Sequence, residues 1–288
     1  MKKYAKISAL LLAVSLLFCS CSFDFSTQSK ISLDEIPEFS DAAYVEINGN
    51  IPYFEESELK ANSYETYGNL DRLGRCTTCK ACIGLDLMPT EKRGSIGEVK
   101  PTGWHSDKYN NVDGHYLYNR CHLIGYQLTA ENANERNLIT GTRYLNVDGM
   151  LPFENEIADY IRDTGNHVLY EVTPIFKDKE LVARGVHMQA QSIEDGGRGV
   201  KFNVYCYNAQ PGIEIDYQTG DSKAVDESYN FDDGNAKQTY ILNTSSKKFH
   251  RPNCEAVQKM IDKNKKKYKG TRQSLINNGY EPCGYCKP

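Results

Sequence analysis

The sequence predicts an α+β fold followed by a small, separate metal-binding domain. Three observations carry this reading. Tyr44-Val-Glu-Ile47, His167–Thr173 and Lys201–Tyr207 alternate, or gather β-branched and aromatic residues, as strands do. Glu154 to Asp163 carries Ile157, Tyr160 and Ile161 at helical spacing, with Gly165 as its stop. From Thr239 the charge reverses sign and two Cys/His ligand pairs appear.

Taken in chain order, the first element is a secretory signal. Lys2, Lys3 and Lys6 precede an apolar run from Ile7 to Phe18. That run is too short to stay in a bilayer as a spanning helix. It ends in Phe18-Cys-Ser-Cys21, and Ser20-Cys21 resembles a bacterial lipobox. Lipidation of Cys21 would tether the chain to the outer face of the membrane. Ordinary cleavage and release is the alternative, so the expected location is extracellular, either anchored or secreted. Residues 1–21 are thus read as signal and lipobox, and residues 22–41, polar and mixed, as a tether.

The folded region runs from 42 to 217, long enough for one well-buried core of about 170 residues. No internal repeat interrupts it. Glu214 to Asp233 then holds seven acidic residues and one lysine, and residues 218–238 read as an acidic linker. The tail, 239–288, has eleven Lys/Arg against three Asp/Glu, so the chain's net charge of −4 hides a basic end. Its cluster from Lys263 to Lys269 favours polyanions, or else forms a solvated face.

The chemistry concentrates between Leu117 and Glu154. Arg120, His122, Asn137, Arg143, Asn146 and Glu154 crowd into fewer than forty positions. His122 abuts the apolar Leu123-Ile124, which would hold its ring in a fixed direction, as a general base requires. Arginines match phosphate oxygens bidentately, and Arg93 joins Arg120 and Arg143 as a candidate phosphate ligand. Asn146 and Glu154 offer the oxygen ligands that a hard cation such as magnesium selects. Asn146 to Glu154 advances a regular helix by about two turns, but Pro152 suits only a first turn. The segment is therefore expected in two pieces, with Asn146 on the first. Read singly, each residue has a plainer role: a packed histidine, a capping asparagine, a first-turn acid, surface arginines. His105, His115, His167 and His187 are read as structural.

Asn119-Arg-Cys-His-Leu-Ile124 resembles the Asp-Arg-Gly-His motif of the DNA/RNA non-specific endonucleases, the ββα-metal nucleases. Asn134-Glu-Arg-Asn-Leu-Ile-Thr-Gly-Thr-Arg-Tyr-Leu-Asn146 and Gly149-Met-Leu-Pro-Phe-Glu154 fit the same group, near secreted streptococcal and competence DNA-entry nucleases. The likeness covers roughly Glu46 to Tyr217. It implies a ββα-metal core with an antiparallel sheet and a magnesium-dependent cut that leaves 5′-phosphates. It further implies His122 as the base that deprotonates water, Asn146 as the single direct magnesium ligand and Glu154 as support for the metal's water shell, with Arg120 beside them. Two positions depart from the pattern: Asn119 stands for the acidic residue and Cys121 for the glycine. They motivate the alternative of a catalytically inactive nucleic-acid-binding surface lipoprotein; retention of His122, Asn146 and Glu154 argues against it. The substrate is DNA, with RNA open, and no protein partner is implied.

In the tail, His250 and Cys254 lie four apart, and Cys283 and Cys286 close a Cys-Gly-Tyr-Cys pair. Two ligand pairs separated by a helical stretch match structural zinc. Three cysteines also cannot pair without remainder. A tail of about fifty residues has little core, so a metal would hold it together. The stretch from Tyr240 to Cys286 resembles the Ada-type zinc-binding domain. For Cys76, Cys79 and Cys82, a metal and paired or free thiols both stay open, as does a Cys121–Cys206 disulfide.

Overall fold

The computed structural model describes residues 31–40, 42–230 and 237–288. The signal, Cys21 and the first part of the tether lie outside the described residues. Among the described residues, no helix is long and apolar enough to cross a membrane.

The nuclease-like region is α+β. Its strands are β1 (Tyr44–Glu46), β2 (Tyr64–Tyr67), β3 (Cys79–Ile83), β4 (Tyr118–His122), β5 (Leu138–Thr142), β6 (Val168–Ile175), β7 (Gly185–Ser192) and β8 (Lys201–Tyr207). Six form one antiparallel sheet in the order β1-β8-β7-β6-β3-β2, and β4 pairs β5 as a separate hairpin. Helix α1 (Tyr126–Thr129) follows β4, and α2 (Leu151–Thr164) follows a π-helical turn at Leu145–Met150.

Alternation sorts the large sheet into two faces. Cys79, Ala81 and Ile83, with Tyr170, Val172, Val186, Met188, Phe202 and Val204, turn toward the hairpin and α2. There they meet Ile139, Leu145, Ile157, Ala158 and Ile161, all buried. Full burial of Ile157 and Ile161 contributes about 1.5–3 kcal/mol each, which fastens α2 to the sheet. Gly165 caps that helix in the left-handed conformation at φ 72°, a geometry only glycine adopts freely.

The opposite face is polar yet covered. Asn203 donates from its side chain to the Ile51 carbonyl at 2.7 Å, and the Tyr53 N–H donates to Gln189 Oε1 at 2.7 Å. His187 Nε2 meets Asn203 Oδ1 at 2.6 Å. Because β7 carries its polar residues inward against these partners, its sequence does not look like a central strand.

Two stretches are more ordered than the sequence suggests. The tether's end folds back: Ile31, Leu33, Ile36 and Phe39 pack against Tyr205 and Tyr207. The segment read as a linker from 218 is folded as far as Asn230. Strands β9 (Ile213–Ile215) and β10 (Ser222–Ala224) form a hairpin, and Ile213, Ile215 and Ala224 pack on Tyr109, Leu117, Tyr118 and Trp104. Its few apolar side chains suffice because the acids sit on the other positions.

The tail is built on its own sheet. Strands β11 (Gln238–Asn243), β12 (Lys248–His250), β13 (Lys265–Gly270) and β14 (Glu281–Pro282) run in the order β13-β11-β12-β14. Tyr240, Leu242, Phe249 and Leu275 form its small core.

Candidate active site

The hairpin β4–β5 and the π-helical turn leading into α2 make a ββα unit, and its residues open on a cleft of about 750 Å³. Arg93, Asn119, Arg120, His122, Arg143, Asn146 and Glu154 all line that cleft. Every candidate of the sequence's central block except Asn137 is therefore brought to one place.

His122 ends β4 and is buried. Its Nε2 lies 2.7 Å from the Asn132 carbonyl oxygen, which can only accept. The proton therefore sits on Nε2, and the lone pair sits on Nδ1. Nδ1 has the Arg93 guanidinium 3.5 Å away. Burial pushes the imidazole down to about 4; the Asn132 contact pulls it partly back, and Arg93 adds a further downward push. The ring is thus neutral at physiological pH, with an unprotonated Nδ1 held only by the long Arg93 contact, the state a general base needs.

The chain leaving β4 is fixed by Asn137. Its Oδ1 accepts the Ile124 N–H at 2.8 Å and its Nδ2 donates to the Ile124 carbonyl at 2.9 Å. Asn137 is fully buried and serves the backbone, not the cleft.

Asn146 rides on the π-helical turn, which Pro152 at the start of α2 follows directly. The Leu151 N–H reaches the Asn146 carbonyl, one residue further than in an α-helix. The segment is not divided in two as expected: the chain stays helical from the π turn into α2, with Tyr144, Met150 and Leu151 all right-handed helical. Pro152 sits in the first α turn, where its missing N–H costs nothing. Single π turns of this kind cluster at functional sites. The Cys121 thiol donates to Asn146 Oδ1 at 3.1 Å, which leaves the oxygen's second lone pair for another partner.

Glu154, on the first turn of α2, is buried beneath the cleft. Burial raises its carboxyl to about 7, against a backbone hydrogen bond from Gly125 and the charge of Arg93. A Cβ at Gly125 would stand 2.8 Å from that carboxylate, so only glycine admits this approach. An amide oxygen and a buried carboxylate are a donor set suited to a hydrated magnesium ion. The residues therefore fit the metal the sequence implies.

The arginines differ. Arg120 donates from Nε to the Val99 carbonyl and lays its guanidinium 4.1 Å from the Trp104 ring centroid. Arg143 pairs with Asp113 at 2.9 Å and reaches Asn119 Oδ1 at 3.5 Å, and its Nε is buried without a partner. Asn119 thus faces Arg143. The Asn132 carbonyl and the Trp104 platform were missed by sequence reasoning. The first is a backbone atom with no side-chain signature, and the second is the chain's single tryptophan, which could have been weighed as a stacking surface.

In the tail, His250, Cys254, Cys283 and Cys286 place their ligand atoms within 4.8 Å of one another. Cys254 Sγ is 3.7 Å from His250 Nδ1. Zinc bonds of roughly 2.0–2.3 Å would set tetrahedral edges of about 3.5–3.8 Å, so the four need little movement to hold a zinc ion. Among the described residues, Cys76, Cys79, Cys82, Cys121 and Cys206 are free. Cys79 faces the core and Cys82 the other side of β3.

Residues 56–194 match the family model described as DNA/RNA non-specific endonuclease. Among solved structures, NucA from Streptococcus agalactiae with magnesium ion bound is 24% identical. That match covers 64% of this chain and 87% of NucA at a TM-score of 0.56. The same NucA with no metal bound is also 24% identical, covering 67% and 92% at 0.55. These likenesses show a shared fold. The motif residues all fall inside the matched region, 56–194, and are gathered in one cleft, so this region resembles a DNA/RNA non-specific endonuclease domain.

Proposed function

We propose that the protein is a secreted, membrane-anchored, magnesium-dependent non-specific endonuclease that hydrolyses phosphodiester bonds of DNA, with RNA open as a second substrate. The observation that carries this is the state of His122. Its Nε2–H is committed to the Asn132 carbonyl, and its Nδ1 lone pair faces the cleft beside Arg93.

In this reading His122 takes a proton from water on Nδ1 while Nε2 stays bonded to Asn132. Arg93 and Arg143 hold phosphate oxygens, for which Arg143 exchanges its contact with the exposed Asp113. Arg120, stacked on Trp104, presents a fixed cation at the cleft wall. Asn146 would hold magnesium directly and Glu154 would orient its waters; the ion, when bound, neutralises charge on the phosphate and the departing oxygen. NucA, similar in fold, has a structure with magnesium ion bound. Contacts of this kind address phosphate and carry no base information, which supports weak sequence preference. The signal and Cys21 support export and anchoring, and the intact mass of the mature N-terminus reads whether Cys21 carries lipid. The domain division, with nuclease residues 42–217 and zinc module 239–288, belongs to the same proposal.

The test is plasmid cleavage by the soluble chain from Ser22, with and without magnesium, beside His122→Ala. We expect magnesium-dependent nicking that falls by about 10²–10⁴-fold in the variant. An intact plasmid under every metal condition, retarded on the gel, would instead identify an inactive nucleic-acid-binding protein.

A further inference from the structure

The catalytic cleft accounts for neither the basic tail nor the way its sheet displays lysines. Strand β13 lies at the edge of the sheet, paired with β11. In that register Tyr268 stands opposite Tyr240 and Lys266 opposite Leu242, on the side that forms the small core. Lys265, Lys267 and Lys269 stand opposite Asn243, Ile241 and Thr239, on the other side. Lys267 and Lys269 are exposed and Lys265 is half-buried. Residues two apart on a strand rise by about 6.8 Å, so the three ammonium groups form a row about 13–14 Å long. Along B-form DNA one strand carries a phosphate every 3.4 Å or so of axis, and such a row therefore faces about four phosphates. Among the described residues, the carboxylate bonded to the row is Asp262, 3.0 Å from Lys265.

We infer that this face of the C-terminal sheet is a second, sequence-independent contact for the nucleic-acid backbone, separate from the cleft. The inference rests on the nuclease reading for the identity of its partner. Charge complementarity favours a polyphosphate chain. Linked to a cleft that takes the same polymer, a weak second contact raises the local concentration of substrate without altering the chemistry. Lysine, a point charge on a flexible stem, suits such undirected contact with phosphates.

Lysines also guard free strand edges against pairing with other chains. Charge reversal separates the two roles, because glutamate guards an edge as well as lysine and repels phosphate. The experiment measures the affinity of a duplex of about 30 base pairs as a function of salt. It uses zinc-loaded full-length His122→Ala, without chelator and without added magnesium. The parent is compared with Lys265→Glu/Lys267→Glu/Lys269→Glu and with the corresponding triple glutamine variant. We expect the glutamate variant to bind at least tenfold more weakly. Its slope of log K against log salt should be lower by about three, near 0.9 per lost phosphate contact. The glutamine variant should follow in the same direction with zinc content unchanged. In the otherwise wild-type chain, turnover of a small diester, thymidine 5′-p-nitrophenyl phosphate, should be unaffected by the three substitutions. That turnover reports the nuclease reading by itself, so its absence in the wild type would leave the affinity result standing. Parental affinity and slope in both triple variants would overturn the inference. So would loss of binding to anionic phosphatidylglycerol vesicles with duplex binding intact, which would make the face a membrane contact.

Discussion

At the residue scale, the proposed chemistry uses two groups whose burial moves them in opposite directions. Burial drives His122 down to about 4 and Glu154 up to about 7. A base acts in its unprotonated form, so His122 is competent at every pH above about 4 and is lost as pH falls through that value. The pH profile of kcat/KM on a small diester should therefore carry its His122 limb near 4, not near the ordinary histidine value of about 6.5. Arg93→Ala removes a neighbouring positive charge and should shift the limb upward, while burial keeps it below the ordinary value. A wild-type limb near 6.5 would overturn this account. The same depression has a stability sign. The unfolded chain takes up a proton at this histidine near 6.5 and the folded chain only near 4, so its contribution to stability falls as pH drops across that interval. That His122, Asn146, Glu154 and the arginines would be gathered in one cleft was legible, because the proposed chemistry is written in side-chain types. The partner that fixes the His122 tautomer was not, because any residue at 132 offers the same carbonyl.

At the element scale, the site is a ββα unit whose geometry is set by a few backbone-directed side chains. Asn137 is the clearest: one buried amide satisfies both the N–H and the carbonyl of Ile124, two residues past the base. Removing it leaves two buried backbone groups unpaired, each worth about 1–3 kcal/mol. Asn137→Ala should cost about 2–4 kcal/mol in denaturant unfolding and lower kcat, because β4 then ends without its anchor. Full stability in that variant would show that water or a neighbour replaces the amide. Strands with apolar periodicity, such as β6 and β8, could be read from sequence, as could α2 with its Gly165 stop. Strand β7 could not, because His187 and Gln189 are buried against partners that come from more than a hundred residues away or from the next strand. The hairpin β9–β10 was hidden for the converse reason: its acids dominate the composition while Ile213, Ile215 and Ala224 do the packing.

At the scale of the whole molecule, the chain joins a large core to a module whose buried cluster is small: Tyr240, Leu242, Phe249 and Leu275, with Tyr268 and Tyr280 partly buried against it. So few cannot offset the ordering of some fifty residues. The Cys/His group makes up the difference if it holds zinc, because a metal that binds only the folded form adds its binding free energy to folding. The large sheet and α2 share no such dependence, since a far larger cluster of buried apolar side chains holds them together. Zinc analysis should find one ion per chain, and Cys283→Ser should abolish it. In that variant, limited proteolysis should remove the region from about 237 onward, while residues 42–230 resist and still cut short DNA in magnesium. The pattern follows if the stabilising free energy of the tail comes from bound metal and that of the core from buried carbon. A metal-free tail that withstands protease would mean the small core suffices. Loss of cleavage on short substrates together with the tail would mean that the two sheets support one another, and that the catalytic cleft requires the module's presence as well as its lysines.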